Sequence, residues 1–334
     1  MADFFHTPVD PFPITNGCSV SELVKRMEGT SFQARNLATG VDIWARMLEG
    51  ETTIFFGLAG AMVPAGMRRI MVYLIQNRLI DCLVSTGANL FHDLHETLGK
   101  RHWKGSPHMD DVELGRARVN RIYDVVASED EYIEMDEFIT AFSNGLDSGR
   151  PYTTREYFRL LGEELARRSS EEGILTAAAK AGVPIYSPAI ADSVYGMAVA
   201  AGRAKGQNRL MFDLVQDVIE TTMIAVKAKS SGVVYVGGGT PKNFIQQTEV
   251  CAYILGEEPR GHEYAVQITM DSPQWGGLSG CTFEEAQSWR KIAPHAKMVT
   301  INSDATIALP IIVSALAERE KLVRCRKRPV LPFE

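Results

Sequence analysis

An acid, an indole and a primary amine lie close together between Cys281 and Lys291. Thr282 and Glu285 have the Thr-x-x-Glu spacing of a capping box, which predicts the start of a helix. Glu285 and Trp289 are four residues apart and would share a face of that helix, with Lys291 just beyond it. A carboxylate can hold an ammonium group, an indole can lie against it, and a lysine can form an imine. The segment could therefore bind an amine and react with it, although a capped surface helix explains the same residues.

The composition limits the class of protein. The chain has 334 residues, of which 45% are hydrophobic and 23% charged, as in a globular protein with one large α/β domain or two smaller ones. A net charge of −6 without a basic stripe argues against nucleic acid as the main partner. Five scattered cysteines fit a reducing compartment. No apolar stretch reaches the roughly 20 residues of a membrane span, so we expect a cytoplasmic protein with no membrane partner.

Apolar runs, glycine turns and helices alternate from residue 52 onward. Runs rich in Val and Ile, each followed by a helix, are typical of a parallel sheet buried on both faces. The predicted strands lie at 53–57, 79–84, 184–187, 232–236 and 297–301. Ligands of such sheets bind beyond the carboxyl ends of the strands. The predicted fold is α/β, with a doubly wound, mostly parallel, Rossmann-like sheet and a helical N-terminal extension.

Two segments depart from this alternation. Residues 1–50 carry a proline-bearing arm and two predicted helices, and precede a single catalytic domain at 51–334. The arm cannot fold alone but could lie on another surface. Residues 99–151 are polar, and we predict that they form an insertion or lid.

Several loop residues allow more than one interpretation. Gly237 to Gly239 would let backbone amides approach a phosphate or a planar ring, but a tight turn needs the same residues. Asp192 and Asp304 each follow an apolar strand, where a carboxylate can bind a ribose or an amine, or can cap a helix.

A histidine-rich segment raises the possibility of a metal-dependent hydrolase. The candidate nitrogen and oxygen ligands are His92, His95, His102, His108, Asp110 and Asp111. His92 and His95 are three residues apart and lack the His-Glu-x-x-His arrangement, so we expect no metal. Both histidines could instead line a ligand pocket, because they follow the turn at 85–87.

In the order of its motifs, the chain resembles the deoxyhypusine synthase family over nearly its full length. The motifs are TSFQARN at 30–36, NRIY at 120–123, YSPA at 186–189, GGG at 237–239, EYAV at 263–266, SG at 279–280, EAQSW at 285–289 and DA at 304–305. An ordered set of this kind is more specific than any single motif. Its divergence from the family pattern suggests the bacterial deoxyhypusine synthase-like group, in which the usual protein acceptor is absent.

The resemblance implies an NAD-dependent transferase, assembled as a homotetramer with active sites at dimer interfaces. In that chemistry NAD takes a hydride from a polyamine, the imine moves to an enzyme lysine, and an aminobutyl group passes to an acceptor amine. The lysine would be Lys291, which burial beside Trp289 would partly desolvate. The implied cofactor contacts are Gly60, Ala61, Thr86, Gly87, Ala88, Asp192, Gly237, Asp304 and Ala305, and the implied substrate contacts are Glu285, Trp289, Gly276, Gly277, Ser279, Asn243, Gly238 and His92.

Departures from the family pattern concern mainly the polyamine. The substituted positions are Asn243 for an acid–base histidine, Met197 for an amine-binding aspartate, Trp275 and Leu278 in an aspartate-bearing loop, and Phe91 and His92 for two glutamates. Because an unpaired ammonium in a dry pocket is costly, these losses weaken the case for spermidine. We predict transfer of an alkylamine group from a polyamine-like donor to a small amine, as in homospermidine synthesis, with a protein acceptor less favoured. The alternatives are an agmatine-type C–N hydrolase and a catalytically reduced amine-binding scaffold.

Overall fold

The computed structural model of the chain describes residues 6–333. The strands are β1 Thr52–Leu58, β2 Cys82–Ser85, β3 Trp103–Lys104, β4 Val119–Ile122, β5 Val125–Ser128, β6 Pro151–Tyr152, β7 Ile185–Tyr186, β8 Met211–Phe212, β9 Ser230–Val236, β10 His262–Thr269 and β11 Ile292–Asn302. The helices are α1 Val20–Met27, α2 Phe32–Glu49, α3 Arg68–Gln76, α4 Gly87–Thr97, α5 Asp111–Arg116, α6 Glu129–Asn144, α7 Thr154–Arg168, α8 Ile174–Ala181, α9 Val194–Ala204, α10 Leu214–Lys227, α11 Gly239–Ile254, α12 Phe283–Ser288, α13 Ala305–Ala317 and α14 Glu320–Cys325. Short π- and 3₁₀-helical turns lie at Val63–Met67 and Pro273–Trp275.

Six strands form the central sheet in the order β11-β10-β9-β1-β2-β7, and every neighbouring pair is parallel. The chain builds outward from β1 in one direction through β2 and β7, and then returns to the other side of β1 with β9. The order therefore reverses between β1 and β9, which is the topological switch point of a doubly wound sheet. The predicted fold class is confirmed.

Helices cover both faces of this sheet. Along β1, the side chains of Ile54 and Phe56 join one apolar cluster with α2, α3 and α13, whereas Phe55 joins a second cluster with α10 and α11. Strand residues point alternately to opposite faces, so a strand buried on both faces must be apolar throughout. This explains why β1 has the continuous apolar run from which it was predicted.

The N-terminal helices and the insertion at 99–151 both pack against the central sheet and its helices. Helix α2 lies against β10 and β11, and the Glu318 carboxylate accepts hydrogen bonds from the backbone amides of Val20 and Ser21 at the start of α1. The insertion contains the antiparallel sheet β3-β5-β4 with α5 and α6, and α6 packs against α9 and α4. The division at residue 50 and the lid role stay predictions. Within residues 6–333, no helix is long and apolar enough to span a membrane.

The C-terminal segment is anchored beneath the sheet by a buried ion pair. Arg326 donates from Nη1 and Nη2 to the two carboxylate oxygens of Asp81, at 3.1 and 2.6 Å. It also donates to the backbone carbonyls of Arg78 and of Thr52, the first residue of β1. Both partners of the ion pair are almost fully buried. The basic segment at 321–328 thus contains a structural arginine.

Candidate active site

Two glycine-bearing loops meet at the switch point. One follows β1 and contains Gly60 and Ala61, and the other follows β9 and contains Gly237 to Gly239. A Cβ atom built on Gly237 would lie 3.3 Å from that of Ala59, so the loops approach closely. Gly60, Gly237 and Gly239 all have positive φ angles, which glycine adopts without strain. Because glycines carry no side chain, a groove between two such loops lets a ligand come close to the backbone.

The loop after β1 is held by the start of α4. Asn89 donates from Nδ2 to the Gly60 carbonyl at 2.8 Å and to the Thr86 hydroxyl at 3.2 Å. Its Oδ1 accepts from the Met62 amide at 3.0 Å. Helix α4 begins at Gly87, and Ala88 next to it is exposed. Five of the predicted cofactor contacts, Gly60, Ala61, Thr86, Gly87 and Ala88, are therefore brought together on one wall of the crevice.

The two predicted cofactor aspartates lie far apart in the chain. Asp192 is exposed after β7 and Asp304 precedes α13 after β11, at opposite edges of the sheet. Five interstrand steps of about 4.8 Å separate these edges, or about 24 Å. Asp304 caps helix α13, which was the alternative to ligand binding in the sequence analysis. Its Oδ1 accepts a hydrogen bond from the Thr306 amide at 2.7 Å. A hydrogen bond from the Thr306 hydroxyl lowers the pKa of the Asp304 carboxyl. Ala305 is the first residue of the capped helix.

The side chain of Lys291 lines a cavity of about 210 Å³. Its lining residues are Lys242, Asn243, Gln246, Pro273, Gly276, Gly277, Leu278, Cys281, Glu285, Ala286, Trp289 and Lys291. Six of them were predicted from the sequence to contact the substrate or to react with it. The structure thus brings together Lys291, Glu285, Trp289, Gly276, Gly277 and Asn243.

Gly238 and Ser279 pack against each other but do not line the lysine cavity, and Ser279 lines a second cavity of about 240 Å³. A Cβ atom on Gly238 would lie 2.4 Å from the Cα atom of Ser279, so only glycine fits there. The Ser279 hydroxyl accepts from the Gly239 amide at 3.0 Å. Both residues were predicted as substrate contacts, and they lie against each other next to the lysine cavity. The glycine at 238 is thus required by close packing.

The end of α12 places the Lys291 side chain. The Thr282 hydroxyl accepts from the Glu285 amide at 3.1 Å, which confirms the predicted helix start. The helix ends at Trp289, Arg290 takes the left-handed conformation with φ of 58°, and the Lys291 amide donates back to Ala286 at 3.1 Å. This is a Schellman turn. It leaves the Lys291 Nζ 5.4 Å from the centroid of the Trp289 ring, at cation–π distance.

A second lysine, which the sequence interpretation missed, lies in the same cavity. Lys242 is 1% exposed, and its Nζ donates to Gln267 Oε1 at 2.8 Å and to the Cys281 carbonyl at 2.5 Å. Burial lowers the pKa of Lys242 to about 8, and the nearby charge of Lys291 acts in the same direction. The sequence does hold a signal, because Lys242 shares the buried face of α11 with Ile245 and Glu249.

Gln267 connects the two parts of the site. Besides accepting from Lys242, it donates from Nε2 to the carbonyls of Gly237 and Ser279, both at 2.8 Å. Its side chain is 1% exposed, in the middle of β10. A single buried amide thus holds the glycine loop, the loop at 276–281 and the second lysine in fixed positions. Such a fully satisfied buried amide rigidifies its surroundings.

His92, predicted as a substrate contact, does not line this cavity in the single chain. It lies on α4 in a buried cluster with His102, whose Nε2 is 3.0 Å from His92 Nδ1 and whose Nδ1 is 2.8 Å from Glu96. The Tyr132 hydroxyl is 3.3 Å from His92 Nδ1, and His95 pairs with Glu131 at 3.0 Å. The part of the chain that the structure describes has no group of three His, Cys, Asp or Glu side chains arranged for a metal ion. The histidines thus bind one another and α6.

We expect this cluster to make stability sensitive to acid. Burial, with the charges of His102 and His95, lowers the pKa of His92 to about 3. The unfolded chain takes up this proton below about pH 6.5, so the free energy of unfolding should fall from pH 6.5 towards 3, by up to about 1.4 kcal/mol per pH unit. Urea unfolding at pH 7, 6, 5 and 4 measures this slope, which His92→Gln should reduce. The exposed His108→Gln variant is the control, and equal slopes for the two variants would contradict the assignment.

Fold and site together define a Rossmann-like α/β protein with a lysine cavity beside a glycine-rich switch point. A sequence model of deoxyhypusine synthase matches residues 22–316, and the chain belongs to the deoxyhypusine synthase family. Probable deoxyhypusine synthase 2 of Methanosarcina mazei is 51% identical over 99% of this chain and 95% of its own length. The protein of the same name from Archaeoglobus fulgidus is 49% identical over 91% and 99%, respectively.

A solved structure shares the fold. The crystal structure named as a deoxyhypusine synthase from Entamoeba histolytica has a TM-score of 0.63 and 19% identity, and covers 92% of this chain and 96% of its own. The predicted family and an enzyme that transfers an aminobutyl group are confirmed. The assignment to the bacterial group is not confirmed, since the relatives that share about 50% sequence identity with this chain are archaeal.

Proposed function

We propose that the protein is an NAD-dependent transferase that moves an alkylamine group of the aminobutyl type from a polyamine-like donor to an acceptor amine. The observation that supports this most directly is the cavity in which Lys291, Glu285 and Trp289 meet in a deoxyhypusine synthase family chain. Lys291 is the better of the two lysines for imine formation. Lys242 is 1% exposed and tied to two oxygens, whereas Lys291 is partly exposed.

The residues would act in a defined order. The residues at the switch-point crevice would hold NAD, which would supply reversible hydride transfer at the donor carbon next to nitrogen. The unprotonated Lys291 Nζ attacks the resulting donor imine, the donor's remaining amine leaves, and the alkyl group stays as an imine on Lys291. The acceptor amine then displaces Lys291. Glu285 would hold the ammonium form of an incoming amine, and Trp289 would exclude water from the lysine.

The crevice at the switch point fits a dinucleotide. It lies between the loops of Gly60 and Gly237, and both α4 and α11 begin at its edges with a glycine. The positive ends of the two helix dipoles favour a pyrophosphate there. Lys242 and Asn243 in the first turn of α11 line the lysine cavity, so a cofactor at the start of α11 would lie next to that cavity. Asp192, with its exposed carboxylate, is suited to a ribose or an amine.

The positions of the two aspartates support an active site shared between subunits. Asp192 is next to Ser193, which packs against Gly87 at the crevice, whereas Asp304 follows β11 at the edge of the sheet. A second copy of the chain could bring its Asp304 to the crevice of the first. We therefore propose a homotetramer with active sites at dimer interfaces.

Mass spectrometry of products tests the proposal. The protein is incubated, with and without NAD, with a panel of diamines, polyamines and agmatine, which includes small amines as acceptors. We expect a new secondary amine and no net consumption of NAD, because the hydride returns to the product. Product without added NAD and with release of urea would favour the C–N hydrolase instead. Binding of amines without any product would favour the scaffold.

A further inference from the structure

A series of buried hydrogen bonds leads from α10 to the β7–α9 loop, residues 187–193. The Asp217 carboxylate on α10 accepts from the Thr154 amide at 2.9 Å and from the Thr154 hydroxyl at 2.7 Å. The oxygen of that hydroxyl accepts from the Ser187 amide at 3.1 Å, directly after β7. Asp217, Thr154 and Ser187 are each 0% exposed in the single chain, so their contacts do not depend on a second subunit.

The β7–α9 loop packs against the wall of the switch-point crevice. A Cβ atom built on Gly87, the first residue of α4, would lie 2.4 Å from the Cβ atom of Ser193. The Ser193 hydroxyl donates to the Ile190 carbonyl at 2.6 Å, which holds the end of the loop to its middle. Asp192 lies in this loop and is exposed. The position of this predicted cofactor contact therefore depends on how the loop is held at its start, Ser187.

The direction of these hydrogen bonds requires an ionised Asp217. A carboxylate only accepts, so the Thr154 hydroxyl gives its proton to Asp217 and keeps its lone pairs for the Ser187 amide. A protonated carboxyl would keep one oxygen for the Thr154 amide and donate from the other to the Thr154 hydroxyl. The Thr154 proton would then point elsewhere. The bond to Ser187 would weaken, because hydrogen bonds in series strengthen one another.

Asp217 changes its charge near neutral pH. Burial raises the pKa of its carboxyl to about 7, and the charge of Glu220 on the same helix acts in the same direction. The hydrogen bonds from Thr154 and the charge of Arg155 on α7 oppose that rise. Glu220 pairs with Arg155 at 2.7 Å and accepts from the Tyr186 hydroxyl at 2.9 Å. Burial raises the pKa of Tyr186 well above its usual range, so this hydroxyl stays neutral.

We propose that Asp217 is a positioning residue of the cofactor site, which acts through Thr154 to hold the β7–α9 loop, and with it Asp192, in the conformation that binds NAD. This inference rests on the proposed NAD site and adds to it a residue that does not touch the cofactor. Because the ionised form of Asp217 holds the loop, NAD binds that form more tightly than the protonated form. Binding of NAD and loss of the Asp217 proton are then linked.

Calorimetric binding of NAD to the wild type and to Asp217→Asn at pH 6 and pH 8 tests the proposal without turnover. Asparagine presents a donor to the Thr154 hydroxyl at every pH, as the protonated carboxyl does. The Kd of the variant should exceed that of the wild type about tenfold at pH 8, which corresponds to about 1.4 kcal/mol. At pH 6, where about nine-tenths of the wild type carries the proton, the ratio should fall below about threefold. Other groups titrate in both proteins, so the ratio isolates Asp217.

Hydrogen–deuterium exchange gives a second readout, which does not involve NAD. At pH 8 the peptide that contains residues 187–193 should exchange faster in Asp217→Asn than in the wild type, because the loop is less firmly held. Asp213→Asn is the matched control. It makes the same change at the start of α10, where Asp213 accepts from the Gln216 amide at 2.9 Å, and asparagine caps a helix as well as aspartate does. Its exchange and its Kd for NAD should match those of the wild type.

Two variants of Thr154 keep the test decisive if Asp217→Asn does not fold. Thr154→Ser retains the hydroxyl and should retain most of the NAD binding, whereas Thr154→Val removes the hydroxyl and should bind NAD about tenfold more weakly at pH 8. A ratio of variant to wild-type Kd that is the same at pH 6 and pH 8, or equal binding by the two Thr154 variants, would overturn this inference and leave the NAD site intact. A wild type that binds no NAD at either pH would overturn the proposed cofactor site and this inference with it.

Discussion

Lys291→Ala should reduce the rate of secondary-amine formation by roughly 10⁴-fold or more, because the covalent step loses its nucleophile. Lys242 cannot take its place, since its Nζ is buried and engaged by Gln267 and the Cys281 carbonyl. Turnover is measured with the amine and NAD combination that gives product in the wild type. Borohydride added during turnover should trap an alkylated Lys291 in the wild type and no adduct in the variant.

Lys291→Arg is the matched control for the charge at this position. An arginine keeps a cation near Trp289 and Glu285 but forms no stable imine under these conditions. It should therefore be as inactive as the alanine variant. Full turnover in either variant, or a trapped adduct on Lys242 in the wild type, would show that Lys291 is not the covalent residue.

Arg326→Ala should lower the free energy of unfolding by about 3–5 kcal/mol, because it leaves Asp81 buried without its main partner. The variant loses the bonds of 3.1 and 2.6 Å to Asp81 and those to the carbonyls of Arg78 and Thr52. Burial already raises the pKa of Asp81, and Arg326 opposes that rise. Urea unfolding followed by fluorescence and circular dichroism measures the loss.

The neighbouring Lys327 provides the control. Its side chain is 79% exposed and pairs with Glu51 at the surface, so Lys327→Ala should change stability by less than about 1 kcal/mol. The double variant Arg326→Met with Asp81→Leu should be more stable than Arg326→Ala, because no buried charge remains. Equal stability of Arg326→Ala and Lys327→Ala would show that the buried ion pair contributes little.

The sequence predicts those strands whose burial on both faces requires a continuous apolar run. Strands β1 and β9 satisfy this condition and were found within two residues of their ends. β10 was missed as a strand, because it begins with the polar His262 and Gln267 interrupts its apolar residues. Both are buried polar side chains whose bonding partners lie on other elements. Their burial follows from the tertiary structure, which local pattern does not describe.

The candidate site shows the same limit. Residues adjacent in sequence, such as Glu285, Trp289 and Lys291, were grouped correctly because one helix and its terminal turn position them. Lys242 joins them from α11, which follows β9, so its partners depend on the order of the strands. His92 was grouped with the substrate residues through family resemblance alone, and in the single chain it lies with His102 and Tyr132.

The three bonds of Gln267 have a thermodynamic consequence. One amide restrains the Gly237 carbonyl on the cofactor side, and the Ser279 carbonyl and Lys242 on the amine side. A ligand that orders the glycine loop therefore also orders the loop at 276–281, and the reverse also holds. The first ligand thus bears the entropy cost of ordering both loops, and the second ligand binds to loops that are already ordered. Binding at the two subsites is then linked and reciprocal. We expect each ligand to bind more tightly when the other is present.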